Sequence, residues 1–486
     1  VNRPHRRVLH AALAALIVGT AALGGTSAAR ADTYVAISGS GSTWSQNALD
    51  QWRRNVANNY GMTISFNGTG SSAGRNDFIR ETVDFAVSEI PFQASPEDGS
   101  PAEVSTRPYA YLPIVAGGTS LMYNLKIGGK LVTDLQLPGD LVAKIFTGQI
   151  TRWNDPAIQS ENPRLVLPDR SITPVVRSDG SGSTAQFTKW MSTQYPQIWG
   201  TGMTSQFPPS FNFKAQSGSL GVSGYVANPT NGEGSLTYVE YSYAMKSGFP
   251  VVKLKNVAGN YVEPTAANVE IALREARINE DQSSPDYLTQ ILDGVYNNAD
   301  PSAYPLSSYS YMIVPTQVGG IFTERKGYTL GAFVKYIVCE GQKQAGALGY
   351  SPLPNNLVKA AFDQISRIPG SNVGPYNADS CSNAGAGEGT APAAGTDGGG
   401  ASGAAAAAAA STGGAAAAGA ASDAVYDANG NLVSGSGAAG TAVSSPFTLA
   451  SESWGPSQTG MLVAVVLVVV ALLAPPLLLR GRGRGR

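Results

Sequence analysis

Three short runs of the 486-residue sequence gather the residue types that bind a small anion. They are Ser38-Gly-Ser-Gly-Ser-Thr-Trp44, Gly68-Thr-Gly-Ser-Ser-Ala-Gly74 and Arg177-Ser-Asp-Gly-Ser-Gly-Ser-Thr184. Each follows a run of strand character and opens a run of helical character. Such a loop aims unpaired backbone N–H groups from a helix N-terminus, where the helix dipole favours negative charge. Glycine lets the backbone approach a ligand, and Ser and Thr hydroxyls add donors without bulk. One such loop is an ordinary N-cap. Three of them, one led by Arg177, predict a pocket of neutral donors with a single cation. That pocket suits a tetrahedral oxyanion.

Catalytic readings lack parts. Gly70-Ser-Ser-Ala-Gly74 fits the G-x-S-x-G nucleophile elbow with Ser72 central. The two histidines, His5 and His10, both lie in the first 31 residues, so no Ser-His or Cys-His pair and no His-ligated zinc or iron is expected beyond them. None of the three loops holds the lysine of a P-loop. No compact Asp/Glu/His cluster resembles a metal-assisted phosphotransfer site. Binding without turnover is the expectation, with no cofactor and no metal.

The elements around these loops alternate. Tyr34–Ile37 reads as a strand before a helix over Gln46–Arg54, and Met62–Phe66 as a strand before a helix over Asn76–Arg80. Val83–Val87 is a further strand, and Ile172–Val176 leads to a helix over Thr184–Met191. This alternation predicts an α/β fold with sheets covered on both faces. Residues 33–372 suit two domains.

Charge excludes one class of partner. Eight of the 33 Lys and Arg lie in the first 31 and last seven residues, which leaves 25 against 34 Asp and Glu. A body this acidic lacks the footprint of a nucleic-acid binder.

The two ends read as targeting segments. Residues 1–31 have a basic start, an apolar run from Val8 to Leu23 and Ala29-Arg-Ala31, the pattern of a signal peptide cleaved before Asp32; the alternative is an N-terminal anchor. Gly460–Leu479 is an uncharged 20-residue stretch. At about 1.5 Å per residue it covers a hydrocarbon core of roughly 30 Å. The alternating Arg/Gly tail 480–486 follows, and the positive-inside rule puts that tail in the cytoplasm and the body outside. Residues 383–458 are mostly Ala, Gly, Ser and Thr, a linker composition. Within them, Asn429-Gly430 suggests a hairpin turn; Asp427, Asn429 and Asn431 resemble a calcium loop that lacks its closing Glu. Cys339 and Cys381 are the only cysteines, so an exported chain forms one disulfide or keeps two free thiols.

Several segments, in order, resemble the periplasmic phosphate-binding proteins of the high-affinity phosphate ABC transporter. They are Ser38–Thr43, Asn67–Ser72, Val83-Asp-Phe-Ala-Val-Ser-Glu89 and Val176-Arg-Ser-Asp-Gly-Ser-Gly-Ser183. Ile145–Asp155, Gly234–Ala244 and Tyr350-Ser-Pro-Leu-Pro354 agree as well, and the likeness spans residues 33–368. It implies a type II periplasmic-binding-protein fold with a hinge: lobe one from 33–112 and 305–372, lobe two from 113–304. It implies phosphate contacts at Thr43, the main chain of Trp44, Ser71, Ser181, Gly182 and Ser183, with Arg177 as the cation and Asp179 orienting it. Trp44 stands where the family has Phe, Ser183 where Thr is common, and Glu89 where an Asp accepts the ligand's proton. Read from the residues alone, Glu89 could instead be a surface residue ending its strand.

The expected function is an extracellular receptor, anchored in the cell membrane by a single C-terminal span. It catalyses nothing, is a monomer, and delivers inorganic phosphate to an ABC permease. The alternatives are the same fold used as a phosphate sensor or surface protein, or a fold-related secreted phosphohydrolase.

Overall fold

The computed structural model describes residues 34–96, 99–281, 283–284, 286–378, 381, 425–426 and 432–434. The expected signal peptide, transmembrane span, Arg tail and nearly all of the linker lie outside the described residues. Among the described residues no helix is long and apolar enough to cross a membrane. Two short strands, Val425–Tyr426 and Leu432–Ser434, are described; the turn expected at Asn429-Gly430 lies outside the described residues.

The chain begins with β1 (Ile37–Gly41), α1 (Gln46–Tyr60), β2 (Ile64–Asn67), α2 (Ser71–Ile79) and β3 (Phe85–Ser88). β1 lies between β2 and β3, parallel to both, as expected of a sheet covered on both faces. It ends four residues later than the sequence suggests, so Ser38–Gly41 belongs to the strand and the first cradle shrinks to Ser42–Ser45. The small residues are there for packing: a Cβ on Gly39 would stand 2.2 Å from the Phe85 ring. α1 buries Ala48, Leu49, Trp52 and Val56 along one stripe, and ends at Gly61 in the left-handed conformation.

β4 (Tyr109–Tyr123) has 15 residues, and all but the first are buried. After it come β5 (Thr173–Arg177), α3 (Gly182–Gln194), β6 (Lys214–Gln216), α4 (Gly218–Ala227), β7 (Ser235–Glu240) and α5 (Tyr241–Ser247). β8 (Ser307–Pro315), α6 (Glu324–Val338) and α7 (Asn355–Ile365) complete the body. The strand order is β2-β1-β3-β8-β4-β7-β5-β6. β4 carries the sheet from one lobe to the other. Its Tyr109–Gly118 half pairs antiparallel with β8, and Thr119–Tyr123 pairs antiparallel with β7. Where the two halves meet, a Cβ on Gly117 would stand 2.7 Å from the Trp44 ring, so glycine lets that indole lie across the crossing strand.

Cys339, just after α6, is disulfide-bonded to Cys381. The bond closes a sequence separation of 42 residues. In the chain-entropy account a loop of that size contributes about 4 kcal/mol. It clips the segment that follows α7 onto the body.

Candidate functional site

The third cradle is the most fully determined. β5 ends on Arg177 and α3 begins at Gly182. Ser181 caps α3, its hydroxyl accepting the Thr184 N–H at 3.2 Å. Arg177 is buried and bidentate on Asp179, with Nε donating to Oδ1 at 2.7 Å and Nη2 to Oδ2. Asp179 Oδ1 also accepts the Gly218 N–H at 2.9 Å. Burial alone would raise the Asp179 carboxyl, but the Arg177 hydrogen bonds and charge and the Gly218 N–H outweigh it and hold it below the usual carboxylate range. The Ser183 hydroxyl is buried with no hydrogen-bond partner among the described residues. An orphan donor of this kind in a native fold calls for an acceptor.

The second cradle faces the third. α2 begins at Ser71, directly after Gly70, whose φ of 92° suits glycine. Ser71 Oγ donates to Glu89 Oε2 at 2.9 Å, and the Ser72 N–H donates to the Gly180 carbonyl at 3.2 Å. Glu89 follows β3 and is 1% exposed, which removes the surface-residue alternative. Its other oxygen, Oε1, accepts from Ser310 Oγ at 2.6 Å. Its main-chain carbonyl accepts from Gln186 Nε2 at 2.7 Å and Gln290 Nε2 at 2.9 Å. Gly182 is pressed against this carboxylate. A Cβ there would stand 2.0 Å from Glu89 Oε2 and 2.7 Å from Ser71 Oγ.

The first cradle joins through a bridge. Thr43 Oγ1 accepts the Ser219 N–H at 3.1 Å and lies 2.9 Å from Ser219 Oγ. Ser219 follows Gly218, which is bonded to Asp179. The Trp44 N–H, an expected anion contact, donates to Ser42 Oγ at 2.9 Å, and the indole Nε1 donates to Thr119 Oγ1 at 3.2 Å. Below this cradle the Glu240 carboxyl is fully buried; desolvation pushes it well above the usual range, although Oε2 accepts the Ser242 N–H at 2.8 Å.

The structure therefore links Thr43, Ser71, Glu89, Arg177, Asp179 and Gly182 through hydrogen bonds and close contacts into one buried group, with Ser181 and Ser183 on either side of Gly182. The sequence reading missed three features. Gln216-Ser-Gly-Ser219 is a fourth strand–Gly/Ser–helix run, findable by the logic that found the other three. Ser310 sits between buried tyrosines and gives no local signal. Arg75 is a second buried cation near the site, engaged by other groups: Glu103 takes Nε at 2.6 Å and Nη2 at 3.0 Å, and Ser88 Oγ takes Nη1 at 2.9 Å. No group of three or more His, Cys, Asp or Glu side chains that could hold a metal occurs among the described residues.

An arrangement of buried hydroxyls and helix starts, one neutralised cation and one ionisable acceptor can hold a small oxyanion that carries a proton. Comparison with known proteins agrees. Residues 26–340 match the model of the PBP superfamily domain. Phosphate-binding protein PstS of Xylella fastidiosa, strain Temecula1, is 34% identical over 330 residues, covering 67% of this chain and 83% of that protein. Phosphate-binding protein PstS 2 of Mycobacterium tuberculosis, strain H37Rv, is 31% identical over 334 residues, covering 67% and 86%. A solved high-affinity periplasmic phosphate-binding protein, bound with phosphate, is 20% identical with a TM-score of 0.51, covering 72% of this chain and 98% of its own. That last likeness supports the fold.

Proposed function

This chain belongs to the PBP superfamily and to the PstS phosphate-binding proteins, and on that premise we propose that it captures inorganic phosphate outside the cytoplasm and hands it to an ABC permease. The observation that carries the reading is Glu89. A buried carboxylate pressed against the start of a donor-rich helix would repel most anions. It tolerates one that offers a proton.

In this reading the hydroxyls of Thr43, Ser181 and Ser183 and the main chain at the helix starts of Ser71 and Gly182 donate to phosphate, while the Ser71 hydroxyl stays on Glu89. The Trp44 N–H joins them once Ser42 Oγ releases it. Arg177 adds a charged donor, and Asp179 holds its guanidinium in plane and balances its charge. The anion is thus held by many hydrogen bonds rather than by net positive charge. No bond of the anion is broken. The support for extracytoplasmic tethering lies in the sequence: the signal-like start, the apolar Gly460–Leu479 and the Arg tail.

Selectivity follows from protonation. At neutral pH phosphate keeps at least one proton and sulfate keeps none. The Glu89 carboxylate accepts a hydrogen bond from P–OH, whereas against sulfate it meets lone pairs and a second negative charge. In a desolvated cleft that repulsion amounts to several kcal/mol on the order-of-magnitude scale of such pairs. Wild-type protein should therefore ignore millimolar sulfate in a competition titration against phosphate. Glu89→Gln should lose part of this selectivity, because an amide can donate to a sulfate oxygen. Equal competition by sulfate in the wild type would sink the assignment.

A further inference from the structure

Glu89 has one more side-chain torsion than the aspartate expected from the family resemblance, so its carboxylate needs more to hold it. Ser71 holds only Oε2, and a single hydrogen bond leaves the carboxylate free to swing about it. The second hold comes from Ser310, 221 residues further along the chain, whose hydroxyl donates to Oε1 at 2.6 Å. Ser310 is wholly buried, and it lies where the β8–β4 register shifts: Ser310 is opposite Val115, but Tyr311 is opposite Pro113. Pro113 has no N–H to give to a ladder, so an irregularity there is expected. Each of the two hydroxyls has one proton, and each gives it to Glu89. That polarity leaves the carboxylate an acceptor on both oxygens.

We propose that Ser310 is a positioning residue that sets the anion specificity of this site: with Ser71 it fixes both oxygens of Glu89 as acceptors, with Oε2 against the start of α3. The proposal rests on the phosphate reading. A merely structural serine would fill its place in β8 and satisfy its own hydroxyl; a positioning serine also governs which anion is admitted.

The test measures dissociation constants for phosphate and for sulfate on the full chain, wild type against Ser310→Ala and Ser310→Thr, with melting temperatures alongside. Losing one charge-assisted hydrogen bond to Glu89 should lower the phosphate-over-sulfate ratio of Ser310→Ala by on the order of tenfold. Ser310→Thr keeps the donor and should stay within about twofold of wild type. If Ser310→Ala does not fold, Ser310→Cys, of similar size but a weak donor, should show the same loss of ratio. An unchanged ratio in the Ala or Cys variant overturns the proposal. So does a Thr variant that loses the ratio while melting like wild type. Wild-type protein that binds no phosphate would instead overturn the phosphate reading, and this inference with it.

Discussion

Arg75→Ala should destabilise the folded protein by about 3–5 kcal/mol, the cost of breaking a buried ion pair from one side. The Arg75 side chain is 1% exposed and that of Glu103 is 9% exposed. The guanidinium engages both Glu103 oxygens, and also Ser88 Oγ and Ser72 Oγ, the latter at 3.2 Å. Truncation leaves a buried carboxylate with only the Gln93 N–H, at 2.9 Å, among these partners. It also frees the segment around Glu103 from α2. Replacing both partners, Arg75→Met with Glu103→Leu, should cost much less, because no charge is left unpaired. Denaturant titration checks this: the midpoint should fall with an unchanged slope. A loss under about 1 kcal/mol would show that Glu103 finds water, and that the pair is not as enclosed as its exposure indicates. Because Ser88 precedes Glu89, phosphate affinity should fall together with stability.

Arg177→Ala should weaken phosphate binding by about 2–4 kcal/mol, the range for losing a charge-assisted contact in a buried site. Two costs combine. The anion loses a charged donor, and Asp179 keeps a negative charge with main-chain N–H groups, its own and that of Gly218, to answer it. Arg177→Lys should recover little, because a lysine cannot reproduce the planar two-point contact with Asp179. The pair also sets an acid limit. The folded Asp179 titrates below its unfolded value, so its contribution to stability is full above about pH 4 and is lost as pH falls through the depressed folded value. Asp179→Asn should flatten that part of the acid unfolding curve. Calorimetry on Arg177→Ala reads the main effect directly; an unchanged dissociation constant would place the anion elsewhere.

Much of the site was legible because its logic is local. A Gly/Ser/Thr run between a strand and a helix announces a donor-lined helix start, and Arg177, Asp179 and Ser181–Ser183 fall within one such run. The strand before it, expected over Ile172–Val176, is found at Thr173–Arg177. The errors arose where small residues mean two things. Ser38–Gly41 looks like loop, yet it is strand, because Phe85 and the neighbouring strands leave no room for larger side chains. The helix expected over Asn76–Arg80 begins instead at Ser71, since the N-terminal turn is made of residues that also favour loops. What the sequence withheld is long-range pairing. Ser310 meets Glu89 across 221 residues of chain, Ser219 meets Thr43 across 176 and Arg75 meets Glu103 across 28. No spacing rule reports contacts of that separation.

Titrating the purified chain with inorganic phosphate in a calorimeter, then repeating the titration in millimolar sulfate, tests the central claim most directly. The account predicts saturation at one phosphate per chain, unaltered by the sulfate. Absence of saturable phosphate binding, or its displacement by sulfate at equal concentration, would contradict it.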